Sequence, residues 1–162
     1  MTLKSMDDLF LHQLQDMYSA EKRILQSLPT MAKKVDAKEL KNALDEHYDE
    51  TKEHVNRLEK VFKLIGEKPK GVRCKAIEGI IGEAEEQMDE IKDDAVFDAA
   101  IIASAQAVEH YEITRYGTLL AWAKELGHTD AVDLLKATLG EEKHADQVLT
   151  KVAEQKVNKA AA

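Results

Sequence analysis

Apolar and polar positions along the chain fall into four long stretches with helical spacing. In the first, Leu14, Met17, Tyr18, Glu21, Ile24, Leu25 and Leu28 recur three and four residues apart, which places them on one helix face. Ser5 precedes the stretch as an N-cap, with Asp7 and Asp8 where the helix dipole favours acids. The predicted helix covers 5–34, and Pro29 predicts a kink near its end. The second stretch covers 37–65. Asp36 and Glu39 predict a capping box, Leu40, Leu44, His47, Thr51, Val55, Leu58 and Phe62 share a stripe, and Gly66 stops the helix.

The third stretch covers 94–126. Asp93 and Asp94 open it, Ile102, Ala105, Glu109, Ile113, Tyr116 and Leu120 carry the stripe, and Gly127 ends it. The fourth covers 129–156, with Thr129 as its expected cap and Leu135, Thr138, Glu141, Ala145, Val148 and Val152 on its face. The tail after Lys156 is expected to fray.

The links between the first and second stretches, and between the third and fourth, are very short. Each pair therefore forms an antiparallel hairpin. The connection at 67–93 is long enough to cross the length of a bundle and is predicted to contain a short helix. Two hairpins joined by one long crossover define an all-α, ferritin-like four-helix bundle, expected as a single domain over 1–162.

Composition narrows the function classes. Seven glycines and two prolines in 162 residues leave few turns, and the predominance of Ala, Leu, Glu and Lys favours helix. A net charge of −8 argues against nucleic acid as a partner, because phosphate contacts call for basic stripes. The single cysteine, Cys74, excludes an intramolecular disulfide and any thiolate-rich zinc or iron–sulfur site. Met1 to Asp8 has no apolar leader and no apolar run approaches ~18 residues. The expectation is a cytoplasmic protein with no membrane contact.

The informative residues are acids and imidazoles on faces that should be buried. On a helical wheel Leu14, Met17, Tyr18, Leu25 and Leu28 fall within about 60° of Glu21, so this carboxylate sits mid-stripe, where a lone charge is costly. Its bland alternative is a carboxylate reaching the rim or paired with a lysine. Glu109 repeats the pattern between Ile102, Ala105, Ile113, Tyr116 and Leu120, with Glu112 one turn on.

The second and fourth stretches supply His54 and His144. Glu141 and His144 form Glu-x-x-His, with the two side chains one turn apart on one face. Glu142 competes with Glu141 for the inward position. In the second stretch Thr51 stands three before His54, and Glu50 and Glu53 are the candidate acids. Glu50 is preferred because a spacing of four shares a face. His47, a heptad before His54, reads as a donor behind the ligands or a packing residue. Tyr18 and Tyr116 are core residues or hydroxyl donors to Glu21 and Glu109.

Each hairpin thus offers a Glu from its first helix and a Glu/His pair from its second. The candidate metal ligands are Glu21, Glu50, His54, Glu109, Glu112, Glu141 and His144. Carboxylates with two imidazoles suit a pair of divalent ions, two irons or alternatively manganese.

At these residues the chain resembles the bacterial YciE/YciF-type stress proteins of the ferritin-like superfamily. The resemblance lies in Leu14-Gln15-Asp16-Met17-Tyr18-Ser19-Ala20-Glu21, Gly66-Glu67-Lys68-Pro69-Lys70-Gly71, Val108-Glu109-His110-Tyr111-Glu112-Ile113 and Ala121-Trp122-Ala123-Lys124. It covers nearly the whole chain. It implies a rubrerythrin-like bundle, a homodimer and a di-metal site, without fixing a substrate. Relative to ferritins, Thr51 stands where a bridging Glu belongs, and Glu112 is an extra carboxylate. No Cys-x-x-Cys rubredoxin module is present.

Together these readings predict a di-iron protein with ferroxidase or peroxide-reducing activity in stress response, taking oxygen or hydrogen peroxide as its small-molecule substrate. The competing expectation is a non-enzymatic helical bundle that acts by protein interaction or metal buffering.

Overall fold

The computed structural model describes residues 3–162; residues 1 and 2, at the start of the expected domain, lie outside the described residues. The helices are α1 (Met6–Lys34), α2 (Lys38–Leu64), α3 (Lys75–Glu90), α4 (Asp94–Glu125), α5 (Thr129–Val152) and a last turn α6 (Asn158–Ala161), with no strand among the described residues.

Local chemistry sets the ends. Ser5 accepts the Asp8 backbone N–H while Asp8 accepts that of Ser5, a reciprocal cap on α1. Asp93 accepts the Val96 N–H and starts α4. Gly66 and Gly127 follow α2 and α4 at φ 78° and 76°, the left-handed conformation that costs glycine no Cβ clash.

Two expected caps are replaced. Asp36 and Glu39 form no capping box: α2 starts after Ala37 without a side-chain cap. Asp98 of α4 instead accepts the N–H groups of Asp36 and Ala37 at 3.0 and 2.7 Å, so a tertiary contact holds the first hairpin's turn. His128, not Thr129, occupies the N-cap position of α5. The C-terminal tail also stays helical. Ala153–Val157 passes through π-helical turns into α6, and burial of Val157 against the body of the fold holds it there. Helix α1 continues through Pro29 to Lys34.

Three-residue links at 35–37 and 126–128 make α1/α2 and α4/α5 antiparallel pairs. Helix α1 packs on α2 and α4, and α5 packs on α2 and α4, so the long helices enclose a common interior. The crossover runs from Ile65 through α3, which lies against α1 and α4 by Ile77, Ile81 and Ala84. At its start the buried Cys74 thiol sits 3.1 Å from the Tyr111 hydroxyl and 3.3 Å from Asp16, tying the crossover to α1 and α4. Phe10, Leu14, Met17, Leu44, Leu58, Phe62, Ile101, Leu119 and Leu135 fill the core. No helix of the described residues is long and apolar enough to cross a membrane.

Candidate metal centre

Midway along this interior the apolar packing is interrupted. Glu21, His47, His54, Glu109, Glu112 and Glu142 are all buried, at 0–6% exposure. Helix α1 supplies Glu21, α2 both imidazoles, α4 two carboxylates and α5 one. Four acids lie in a dry interior without one lysine or arginine among the cluster, where each ionised carboxylate is costly unless neutralised.

Nine buried side-chain nitrogens and oxygens among the described residues lack a hydrogen-bond partner, and all nine belong to these six residues. Native interiors satisfy nearly all such atoms. The donors divide into two groups whose ligand-type atoms lie within 4.8 Å of one another: Glu21, His54 and Glu142 in one, and His47, Glu109, Glu112 and Glu142 in the other. Glu142 belongs to both.

The surrounding contacts orient the donors. His54 Nε2 lies 2.9 Å from Glu141 Oε2, and Arg57 Nη2 donates to Glu141 Oε1 at 2.9 Å. The guanidinium holds the Glu141 carboxyl below its ordinary range, so it accepts and Nε2 carries the proton. That leaves His54 Nδ1 facing inward, 2.9 Å from Glu142 Oε1 and 3.5 Å from Glu21 Oε1, close to both but aligned for a hydrogen bond with neither. The Tyr116 hydroxyl donates to Glu21 Oε1. His47 Nε2 lies 3.2 Å from Glu109 Oε1, and Thr51 turns away to donate to the His47 carbonyl at 2.7 Å.

Protonation follows from the crowding. Burial drives the Glu112 and Glu142 carboxyls well above their ordinary range, and the neighbouring carboxylates push the same way. Burial also raises Glu109, against the pull of His47. For His54 burial opposes charge most strongly, but the surrounding acids, Glu21 first and then Glu112 and Glu141, together outweigh it and lift the imidazole to about 9. The metal-free cluster therefore neutralises itself with protons.

The donor set fits a pair of cations. Two divalent ions would balance four carboxylates, and mixed carboxylate–imidazole ligation suits iron or manganese. Of the residues expected from sequence, Glu21, His54, Glu109 and Glu112 meet in the cluster, and three others stand outside it. Glu50 is a quarter exposed and faces His47 from outside, 3.8 Å from Nδ1. Glu141 points to Arg57 because α5 rotates Glu142 inward instead. His144 is exposed, with Ala145 on the buried face. His47 takes the role of second imidazole. Tyr18 donates to Glu59 rather than to the cluster.

One sequence signal does find the inward acid of α5. Glu21 precedes Thr51 by 30 residues and His54 by 33, and Glu112 precedes Glu142 by 30 and Ala145 by 33. These spacings single out Glu142 over Glu141, but they do not separate Glu109 from Glu112, because Glu142 also follows Glu109 by 33 residues, and both acids join the cluster. His47 has no counterpart in this repeat, since Thr138 holds the matching place.

Residues 5–162 match a family described as a domain of unknown function, DUF892. Protein YciF of Escherichia coli (strain K12) is 43% identical over 162 residues, spanning 99% of this chain and 98% of that protein. The crystal structure of the E. coli stress protein YciF superposes with a TM-score of 0.92 at 42% identity, covering 97% of this chain and 99% of that one. YcfI from Rhodopseudomonas palustris, whose description proposes a structural role, gives 0.91 at 52% identity over 93% and 96% of the two chains. A protein from Xanthomonas campestris, 20% identical with a TM-score of 0.72 over 93% and 92%, shares the fold.

Proposed function

The chain belongs to the DUF892 family as a relative of the stress protein YciF, and on that premise we propose that it is a ferritin-like bundle whose core holds two divalent metal ions for redox chemistry on a small oxidant. The observation that carries this reading is that the buried side-chain nitrogens and oxygens without a partner, among the described residues, all lie in one six-residue cluster. Glu21 and His54 serve one ion, and His47, Glu109 and Glu112 serve the other. Glu142, common to both groups, would serve both ions.

Iron is the proposed metal, with manganese as the alternative, and bound there it supplies electrons to dioxygen or hydrogen peroxide. The chain's own residues hold and orient. Arg57 and Glu141 fix the His54 tautomer so that Nδ1 meets the cation. Tyr116 fixes Glu21. Protons carried by Glu112, Glu142 and His54 leave as the cations bind, so loading releases acid. The apolar wall of Ile24, Leu28, Met31 and Val108 beside His47 and Glu109 limits the access of bulk water on the α1/α3 side.

A second reading, a non-enzymatic helical protein, draws on the structural role proposed for YcfI. Anaerobic ferrous loading followed by an oxygen or peroxide pulse separates the two. Oxidation at a rate well above that of free ferrous ion supports the redox centre. Uptake of metal with no faster oxidation leaves a metal-holding structural protein.

A further inference from the structure

Two clefts reach the cluster from opposite sides, and both end on His47, Ala105 and Glu109. They differ in chemistry. The cleft on the α1/α3 side is walled by Ile24, Leu28, Met31, Ile81 and Val108, with Ser27 its one further polar side chain. A hydrated cation gains nothing from such a wall and would shed its water uncompensated. The cleft between α2, α4 and α5 also has apolar walls, with Leu44, Val148 and Leu149, but it carries Glu46 and Glu50 on α2 and His144 on α5.

Those acids form a graded descent. Glu46 is exposed. The Glu50 side chain is 25% exposed, that of His47 7% and that of Glu109 2%. The His47 ring stands between the last two acids, with Nδ1 3.8 Å from Glu50 Oε2 and Nε2 3.2 Å from Glu109 Oε1. Neither ring nitrogen has a hydrogen-bond partner although the residue is buried. The cleft itself offers about 20 Å³, room for one water-sized group at a time.

We propose that this cleft is the way in for divalent cations, with Glu46 and Glu50 capturing the ion at the mouth and His47 passing it inward to Glu109. The idea rests on the two-metal reading of the cluster. Carboxylates at the mouth raise the local cation concentration and replace part of the hydration shell before the ion enters the dry interior. His47 presents a nitrogen to each side, so the ion need not cross a gap without ligands. Glu50 is thereby assigned to capture, outside the set that holds the ions at rest.

The test follows cobalt(II) uptake by the metal-free protein in stopped flow, read by its visible absorption. The double variant Glu46→Gln/Glu50→Gln should load about tenfold more slowly than the parent, yet reach the same spectrum and the same ions per chain. Glu86→Gln/Glu90→Gln, an equal charge change on exposed positions of α3, should load at the parent rate. Parent-like loading by the double variant overturns the proposal. So does a lower final occupancy or an altered spectrum, which would make Glu50 a ligand or an orienting group instead. If the parent chain itself binds no cobalt, the two-metal reading fails, and this result is distinct from either.

Discussion

Glu141 and Glu142 are consecutive in the chain yet hold opposite edges of one imidazole, Glu141 Oε2 lying 2.9 Å from His54 Nε2 and Glu142 Oε1 lying 2.9 Å from His54 Nδ1. The first is partly exposed and tied to Arg57, and the second is buried with both oxygens unpartnered. One residue step on helix α5, about 100° of rotation, thus separates a carboxylate tied to Arg57 outside the cluster from one aimed into it.

Glu141→Ala should consequently weaken metal binding without abolishing it. Losing the partner behind a metal-binding histidine typically costs 10–100-fold in affinity. Competition with a chromophoric chelator should show about that loss for one ion and little for the other. Unchanged affinity for both would mean that His54 is oriented by something else.

Glu142→Ala should be far more damaging, since this carboxylate is common to both donor groups. His47→Ala removes a donor from one group only. Isothermal titration should find no tight site in the first variant and a single one in the second. Two retained sites in Glu142→Ala would remove it from the bridging position.

The cluster should cost stability when empty. Glu112 is fully buried with both oxygens unpartnered, and an unsatisfied buried polar group costs about 1 to 3 kcal/mol even when neutral. Glu112→Met should therefore raise the melting temperature of the metal-free protein while reducing metal affinity. A lower metal-free melting temperature would show that Glu112 already has compensation in the empty fold.

The pH dependence of the metal-free protein follows from the same groups. His54 is raised from 6.5 to about 9 in the fold, so its stabilising contribution is complete below pH 6.5 and disappears as pH rises through 9. Glu112 and Glu142, raised by burial and by neighbouring carboxylates, act in the same direction. Metal-free melting temperature should fall steadily from pH 6.5 to 9 in scanning calorimetry. Excess metal should flatten this trend, because cations replace the protons. A metal-free protein that gains stability over that interval would contradict the proton-filled cluster.

The helices were legible because their stripes are long and their stops, Gly66 and Gly127, are glycines in the conformation that glycine favours. The α2 start was not, because Asp98, far away in sequence, supplies its cap. Within the site, Glu21 and Glu109 stand mid-stripe, Glu112 lies one turn on from Glu109, and His54 is found only by its pairing with these acids across the two hairpins. A wheel cannot resolve Glu141 from Glu142, neighbours only 100° apart on a helix whose final rotation is set by packing on α2 and α4. The Glu-x-x-His spacing of Glu141 and His144 is a pattern that surface helices also carry. The pattern of one Glu/His pair per hairpin leaves His47 no place among the ligands, whereas α2 carries both imidazoles on one face a heptad apart.

The most direct test of the two-metal centre is anomalous diffraction from crystals of the protein soaked in manganese(II). Two anomalous peaks flanking the Glu142 carboxylate, one beside His54 Nδ1 and one beside His47 Nε2, are the predicted result. No peak in the core, or manganese bound only at surface acids, would contradict it and leave the buried acids as a proton-filled feature of a helical protein with some other task.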